Sequence, residues 1–401
     1  MFILGTAPSI YVKDSQYETD SKKFIIFFQG GGWCYGDSEQ KAKEHCFQRI
    51  EDNFFASLKQ FGQNEYMTGI LSHNPDINPE FFDYTVIYIN YCDGTGHQGY
   101  VEEPVQVDDN KQVWMRGKNN TLTVLNYAKE HLNINQAEKV IVSGTSAGGL
   151  SALTWVDYIA DYLKEENENV QVFGIPDSGF FLDYPSVIDG ENKLLNKLKH
   201  LLAISNKNSK YINQECQNDN QDQPYKCMLP QYLINYIKTP ILLVNSGYDS
   251  WSTRFILEVT CSENSFLNFD LQHCSENELK LIEAYKQKIN EKLQQIQNKN
   301  KNVSSWIISC PAHGLIYKEI FINDEWTLPN EEKTLSTLIG QIFNSNNEQF
   351  TYFDSSVWPE NQGCAFYYDR DNNNNEQDSN DNNDNNMQPI TIFTINNDDD
   401  E

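Results

Sequence analysis

The chain has 401 residues, 39% of them hydrophobic, and a formal net charge of −27. A chain this acidic repels the phosphates of nucleic acids, and no apolar run approaches the ~18 residues that a membrane-spanning helix needs. We therefore expect no nucleic acid partner and no membrane span. Length alone allows two or three domains, but one enlarged α/β domain also reaches this size.

The first predicted strand runs into a cluster of glycines. Residues 24–28 are apolar, and Gln-Gly-Gly-Gly-Trp-Cys follows at residues 29–34. Acyl transfer creates an oxyanion, and backbone N–H groups in a loop of this kind can stabilise it. Gly32 and Trp33 are therefore candidate oxyanion donors. The alternative is that the glycines only form a tight turn.

A second strand candidate leads into the most informative motif of the chain. Residues 140–142 form a β-branched run that continues into Gly-Thr-Ser-Ala-Gly at residues 144–148. The glycines permit a sharp strand-to-helix turn, and such a nucleophile elbow places the Ser146 hydroxyl at the top of a sheet. Apolar residues then recur at helical spacing from residue 150 onwards. Ala147, directly after the nucleophile, is the third candidate oxyanion donor.

Two later segments have helical patterns. Residues 180–238 are rich in Lys, Asn and Leu, with leucines at helical spacing between Leu194 and Leu202. We interpret this segment as a helical insertion over the active site that sets substrate choice. Residues 279–296 carry a second apolar stripe, which we interpret as an outer helix packed on the sheet.

The triad acid is expected after the nucleophile and before the histidine. A strand candidate at residues 241–244 precedes Asp249, which is our candidate acid; its alternative role is to cap the next helix. Asp177 and Asp183 are rivals. They follow an earlier strand candidate at residues 170–175, and we interpret both as structural.

The general base must be one of three histidines that follow Ser146. Only His313 comes after a strand-like run, at residues 305–309, and it lies in a Cys-Pro-Ala-His-Gly loop. His200 and His273 lie in helical and irregular stretches, and we predict that both are surface residues. The predicted triad is thus Ser146, Asp249 and His313. It needs no cofactor, and the cysteine and histidine spacings match no metal site.

The carboxyl-terminal segment has a different composition. Residues 369–401 contain eight Asp, two Glu and one Arg, a net charge of −9 that leaves −18 of the total −27 for the rest. Because this Asn/Asp-rich segment has little apolar surface to bury, we expect a disordered tail. The predicted organisation is an α/β-hydrolase catalytic domain over residues 1–368 followed by that tail over residues 369–401.

Ten short motifs are spread along residues 4–365. They are Gly-Gly-Gly-Trp-Cys at 30–34, Gly-Ile-Leu-Ser at 69–72, Asn-Pro at 78–79, Tyr-Cys-Asp-Gly at 91–94, Arg-Gly at 116–117, Gly-Thr-Ser-Ala-Gly-Gly at 144–149, Asp-Ser-Gly-Phe-Phe-Leu-Asp at 177–183, Cys-Met-Leu-Pro-Gln at 227–231, Tyr-Asp-Ser-Trp at 248–251 and Cys-Pro-Ala-His at 310–313. Together they resemble the pectin acetylesterase family, which includes the animal Notum carboxylesterases.

This resemblance implies an α/β-hydrolase fold, a mostly parallel sheet flanked by helices with helical insertions over the active site. It implies the same triad and the same oxyanion donors, Gly32, Trp33 and Ala147. Family members usually begin with a signal peptide and a Cys-Leu-Asp-Gly-like segment. The opening residues 1–6 have neither, so we expect a truncated start.

Cysteine usage indicates the compartment. Nine cysteines and two Asn-x-Ser/Thr sequons favour an oxidising environment, so we expect a secreted glycoprotein or one held in an endomembrane or digestive compartment. Cys34 with Cys46, and Cys216 with Cys227, are close enough for short disulfide loops, but spacing alone leaves the pairing open.

The sequence therefore predicts a monomeric serine carboxylesterase that acts on O-acyl esters, with acetyl esters on a polysaccharide as the favoured substrate. The alternatives are Notum-like removal of a long acyl chain from a protein, another serine hydrolase such as a peptidase or lipase, and an inactive hydrolase-fold binding protein. A net charge of −18 outside the tail predicts that a neutral acetylated sugar is a better substrate than acidic pectin, unless a local basic patch intervenes.

Overall fold

A nine-stranded sheet forms the centre of the molecule. The computed structural model describes residues 9–13, 22–52, 67–206, 213–261, 271–317, 334–345, 348–360 and 391–394. The strands in chain order are β1 (Ser9–Lys13), β2 (Lys23–Phe28), β3 (Thr85–Ile89), β4 (Val105–Gln106), β5 (Gln112–Val113), β6 (Lys139–Thr145), β7 (Gln171–Asp177), β8 (Ile241–Ser246), β9 (Val303–Ile308), β10 (Thr351–Phe353) and β11 (Thr391–Thr394).

The helices lie between the strands. In chain order they are α1 (Glu39–Glu51), α2 (Gly117–Leu132), α3 (Ala147–Lys164), α4 (Lys193–Ser205), α5 (Gln214–Asp219), α6 (Pro230–Leu233), α7 (Ser250–Phe255), α8 (Glu276–Lys299) and α9 (Leu335–Asn344). Short 3₁₀ turns add to these connections. The strand candidates at 24–28, 140–142, 170–175, 241–244 and 305–309 correspond to β2, β6, β7, β8 and β9.

The sheet is mostly parallel, as the sequence predicts. Its order is β10-β9-β8-β7-β6-β2-β3-β1-β11, and β4 and β5 form a separate two-stranded ribbon. All neighbours from β10 to β3 pair in parallel, whereas β1 pairs antiparallel with both β3 and β11. The carboxyl ends of β2, β6, β7, β8 and β9 therefore meet along one edge, where open α/β sheets bind their ligands.

Apolar residues cover both faces of the sheet. In β2, the side chains of Phe24, Ile26 and Phe28 join the larger core cluster, while Ile25 and Phe27 join the smaller one on the opposite face. This alternation follows from the period of two in a β-strand. Strands buried on both faces read as continuous apolar runs, which is why these runs were visible in the sequence.

The predicted insertion is helical. The helices α4, α5 and α6 all lie within residues 180–238, and Leu194, Leu198, Leu201 and Leu202 of α4 are buried. The second predicted helix is α8, whose Ile282, Tyr285, Ile289, Leu293 and Ile296 are buried, and a capping box formed by Ser275 and Glu278 begins it. None of the described helices is both long enough and apolar enough to cross a membrane.

The expectation of a disordered tail does not hold for four of its residues. Thr391–Thr394 forms β11, which pairs with β1 at one edge of the sheet. Thr-Ile-Phe-Thr has two β-branched types and an aromatic residue and carries no charge, so it has strand propensity within an Asn/Asp-rich segment. The rest of residues 369–401 lies outside the described residues.

Disulfides link cysteines that are near one another in sequence. Cys34 bonds to Cys46, Cys216 bonds to Cys227, and the third pair is Cys261 with Cys274. Cys310 is also disulfide-bonded. Cys92 is a buried free thiol. Both pairs that sequence proximity allowed therefore form, and Cys261 with Cys274 adds a third pair of similar spacing that the sequence analysis did not name.

Gly148 allows the first turn of α3 to pack directly against the backbone of β2. A Cβ at Gly148 would overlap the carbonyl oxygen of Phe28 in β2. We predict that Gly148→Ala destabilises the protein by about 2–4 kcal/mol, because backbone atoms cannot rotate away as a side chain can. Thermal or urea unfolding measures the change. Asp161→Ala, on the exposed face of the same helix, is the control and should stay within about 0.5 kcal/mol of wild type; equal effects of both changes would contradict the steric explanation.

Candidate active site

Ser146 occupies the sharp turn between β6 and α3. Its φ is 62° and its ψ is −125°, a conformation that side chains rarely adopt. Its N–H donates to the carbonyl of Asp177 at 2.9 Å, and its own carbonyl accepts from Leu150 at 3.0 Å. Gly144 and Gly148 pack so closely that a Cβ on either would clash with backbone. The structure therefore has the predicted elbow, with a strained residue held in place on both sides.

Asp249 and His313 come together at the ends of β8 and β9. The Nδ1 atom of His313 lies 2.6 Å from Oδ2 of Asp249, and the two side chains are 7% and 1% exposed. The other carboxylate oxygen, Oδ1, accepts from the N–H of Ser252 at 2.8 Å and caps α7. The two roles considered for Asp249 are thus both present, one on each oxygen, and the helix cap fixes the carboxylate that contacts the histidine.

One cavity of about 630 Å³ contains the remaining candidates. Ser146 and His313 both line it, and so do Gly32 and Trp33. Ala147, the first residue of α3, is fully buried directly beside the nucleophile. The N–H groups of a helix's first turn have no carbonyl partner within the helix, so they remain available to an anion.

Asp177 connects the elbow to the loop that carries His313. Its carboxylate accepts hydrogen bonds from the Thr145 hydroxyl at 2.8 Å, from the Ser178 hydroxyl at 3.0 Å, and from the N–H of Leu315 at 2.9 Å. Burial raises the pKa of Asp177, and these hydrogen bonds act in the opposite direction. The carboxylate contacts backbone and hydroxyl groups of both loops, which is the structural role predicted for it.

Asp183 and the other two histidines lie elsewhere. The Asp183 carboxylate accepts from Asn192 at 2.8 Å and from the hydroxyl of Tyr232 at 3.1 Å, within the insertion. His200 lies on α4 and His273 is exposed near the start of α8, and neither lines the cavity. In the part of the chain that the structure describes, no group of three or more His, Cys, Asp or Glu side chains could hold a metal ion.

The charge inside the cavity is opposite to that of the whole chain. Arg49, Lys197 and Arg254 line it, whereas no Asp or Glu does so among the described lining residues. Lys197 lies over the ring of Tyr35, and Arg254 lies over that of Phe255. Neither cation forms a salt bridge within the described ranges. The local basic patch that would weaken the repulsion argument for acidic substrates is therefore present.

Comparison with known proteins identifies the family. The profile of the pectinacetylesterase family matches residues 3–365. The chain belongs to the pectinacetylesterase family. Pectin acetylesterase 5 of Arabidopsis thaliana is 26% identical over 343 residues, which are 84% of this chain and 76% of that protein. The palmitoleoyl-protein carboxylesterase NOTUM of Schmidtea mediterranea is 28% identical over 255 residues, 61% of this chain and 45% of that protein.

Solved structures support the fold. The Wnt deacylase Notum from Drosophila superimposes with a TM-score of 0.73 at 19% identity, covering 89% of this chain and 93% of that one. The predicted α/β-hydrolase fold is thereby confirmed, and the family assignment makes the chain an ester hydrolase. The resemblance predicted from short motifs is confirmed over nearly the whole chain.

Sequence reasoning missed the charged residues that line the cavity. Arg49, Lys197 and Arg254 lie on three different helices, and nothing in their local sequence marks them as neighbours. Tyr91 lies within one of the family-like motifs, yet that motif does not reveal that its hydroxyl contacts the glycine loop. A weak signal exists for Arg49, because it lies one helical turn after Cys46, whose partner is in the glycine loop.

The two carboxylates near the histidine loop should respond differently to the same substitution. Asp249→Asn should lower kcat by about 10³–10⁴-fold with little change in stability, because an amide misorients the imidazole while asparagine still caps a helix. Asp177→Asn should instead lower the melting temperature, because the amide nitrogen faces backbone N–H donors. Ester hydrolysis and thermal melts measure both effects. A folded Asp177→Asn protein less active than Asp249→Asn would mean that Asp177 is the triad acid.

Proposed function

We propose that this protein is a serine carboxylesterase that removes O-acyl groups, with acetyl esters on a polysaccharide as its substrate class. The observation that carries the proposal is the 2.6 Å contact between Asp249 and His313 beside a cavity that Ser146 also lines. The proposed roles are nucleophile for Ser146, general base for His313, and orienting acid for Asp249.

The proposed reaction proceeds through an acyl-enzyme. The Ser146 hydroxyl oxygen attacks the ester carbonyl carbon while Nε2 of His313 accepts its proton. The N–H groups of Gly32, Trp33 and Ala147 stabilise the tetrahedral oxyanion, which collapses as the imidazolium protonates the leaving alcohol. Water, deprotonated by the same imidazole, then attacks the acyl-enzyme, and the departing Ser146 oxygen takes the proton back. Asp249 stabilises the imidazolium in both halves.

The lining of the cavity supports a sugar that carries negative charge. Lys197 and Arg254 line the cavity and no described lining residue is acidic, so a carboxylate on the alcohol portion would gain charge-assisted hydrogen bonds there. Trp251 and Tyr35 also line the cavity and offer apolar contact for a sugar ring. These features favour an acetylated uronic acid polymer, and the relatives named pectin acetylesterases agree with that choice.

A second candidate is removal of a longer acyl chain, as the name of the NOTUM relative states for that protein. One observation favours it. Phe27, Met67, Leu71 and Tyr88 form an apolar wall of the cavity, and about 630 Å³ is far more than an acetyl group occupies. An apolar wall of this kind could hold an extended acyl chain.

An inactive binding protein is less well supported. Such a scaffold would not need to keep a strained serine, and strain of this kind costs about 1–3 kcal/mol. Both the strained Ser146 and the close contact between Asp249 and His313 are present.

We also propose that the protein works outside the cytosol, in a secreted or endomembrane location. The described disulfides support this, because such bonds persist in oxidising compartments and are rare in the cytosol.

Hydrolysis of nitrophenyl esters from acetate to palmitate tests the reaction and the acyl preference. We expect kcat/KM to be highest for acetate or butyrate and to fall with longer chains. Ser146→Ala should reduce all rates by about 10⁴-fold or more, because nucleophile and base act as one unit. A folded Ser146→Ala protein with most of its activity would exclude the proposed nucleophile. A rate that rises through octanoate and beyond would select the long-chain alternative.

The cations of the cavity predict that an acidic substrate binds better than a neutral one, whereas the net charge of the chain predicts the opposite. Lys197→Gln and Arg254→Gln should each raise KM for acetylated pectin about tenfold, since a hydrogen bond to a charged group contributes about 1.5 kcal/mol. Added salt should raise the same KM. A neutral acetylated xylan should show neither effect, and Lys280→Gln, on the exposed side of α8, is the control variant. An unchanged KM for pectin in both cavity variants would leave net charge as the governing factor.

A further inference from the structure

The glycine loop after β2 has its carbonyl groups held by two side chains from other parts of the chain. The guanidinium of Arg49 donates from Nη2 to the carbonyl of Gly31 and from Nη1 to the carbonyl of Trp33 at 3.4 Å. The hydroxyl of Tyr91 donates to the carbonyl of Gly32 at 2.8 Å. Three consecutive carbonyls are thus engaged by side chains rather than by regular secondary structure.

These contacts matter because glycine peptides rotate easily. Gly31 and Gly32 have φ values of 142° and 69°, which only glycine adopts readily, and neither has a side chain to restrict rotation. A peptide group is planar and trans, so the N–H of each residue points opposite to the carbonyl of the residue before it. Holding the carbonyl of Gly31 therefore fixes the N–H of Gly32, and holding that of Gly32 fixes the N–H of Trp33.

We propose that Arg49 and Tyr91 are positioning residues that preorganise the oxyanion hole by fixing the peptide planes of Gly31 and Gly32. The proposal rests on the assignment of Gly32 and Trp33 as oxyanion donors. An oxyanion hole accelerates reaction because its donors need no reorientation when charge develops. A loop with two adjacent glycines would otherwise lose that advantage.

Each positioning residue is itself held firmly. Arg49 lies one helical turn after Cys46 on α1, and the disulfide from Cys46 to Cys34 attaches that helix to the end of the same loop. The helix therefore contacts the loop twice, once through a covalent bond and once through the guanidinium.

Tyr91 is fully buried and uses its hydroxyl in both directions. The oxygen accepts from the N–H of Gly96 at 2.7 Å while the hydrogen goes to Gly32. Its ring stacks on His97 at 4.8 Å, and Nε2 of His97 lies 3.0 Å from the carbonyl of Gln29, at the start of the loop. Burial raises the pKa of Tyr91, so the phenol stays protonated and keeps its donor role.

The decisive variants are Tyr91→Phe, which removes one hydroxyl, and Arg49→Lys, which keeps the charge but loses the two-pronged donor. With nitrophenyl acetate we expect kcat to fall about 10–100-fold for each while KM changes less than about twofold, because removal of a complete oxyanion donor costs 10²–10³-fold. Inhibition by an alkyl boronic acid, whose serine adduct places an oxygen in the hole, should weaken by the same factor.

Matched controls separate positioning from general damage. Tyr232→Phe removes a hydroxyl that contacts Asp183, and Arg116→Lys changes a guanidinium that holds the carbonyl of Glu102, both outside the cavity. Neither should change kcat or boronate inhibition. An equal loss of kcat in these controls would overturn the proposal. So would a loss of kcat in Tyr91→Phe that is explained by the fraction of the protein that is unfolded at the assay temperature. If Tyr91→Phe does not fold, Arg49→Lys alone decides it.

Other outcomes are equally informative. A raised KM with unchanged kcat in Arg49→Lys would mean that Arg49 binds substrate instead of holding the loop. Unchanged kcat in both variants, with Ser146→Ala inactive, would overturn this inference and leave the proposed function intact. Activity retained by Ser146→Ala would instead overturn the proposed function itself.

Discussion

The buried carboxylate of Asp177 is the contact on which the arrangement of the active site depends. A carboxylate removed from water costs several kcal/mol unless hydrogen bonds replace its hydration, and here they come from the elbow and from the histidine loop. The main-chain carbonyl of the same residue accepts from the N–H of Ser146. Neither loop can shift without leaving a buried carboxyl group partly unsatisfied, so one residue at the end of β7 couples the positions of the proposed nucleophile and base, Ser146 and His313.

The positions of the three proposed catalytic residues follow from the parallel sheet. Ser146, Asp249 and His313 each follow the carboxyl end of a strand, β6, β8 and β9, and these ends share one edge of the sheet. Each is also held by a second interaction: backbone hydrogen bonds for Ser146, a helix cap for Asp249, and the Asp177 contacts for the loop that carries His313. Rigid elements therefore place these side chains, while the three cations that line the cavity, Arg49, Lys197 and Arg254, come from α1, α4 and α7.

The sequence could predict those parts of the molecule that are local or repetitive. Buried parallel strands are continuous apolar runs, and a nucleophile elbow requires glycines at fixed positions, so both the sheet and Ser146 were recognisable. Asp249 and His313 could be chosen because each comes directly after a strand. The same reasoning could not find Arg49, Lys197 and Arg254, which converge from three helices, and the charge of the whole chain does not reveal the local basic patch that they form. The strand β11 was missed because a window dominated by Asn and Asp hides four residues of strand propensity.

The short spacing of the disulfides has a consequence for how the protein is made. The three pairs in which both cysteines are described are separated by 12, 11 and 13 residues, whereas β2 can pair with β6 only after β6 has been synthesised. Loops this short close in far less than a millisecond, while a ribosome adds about 5–20 residues per second. Cys34 and Cys46 can thus meet as soon as both have left the ribosome, although the oxidation that joins them takes seconds or longer. Both cysteines of this pair lie between β2 and β3 in the chain, so the covalent link between the glycine loop and α1 needs no strand of the sheet beyond β2.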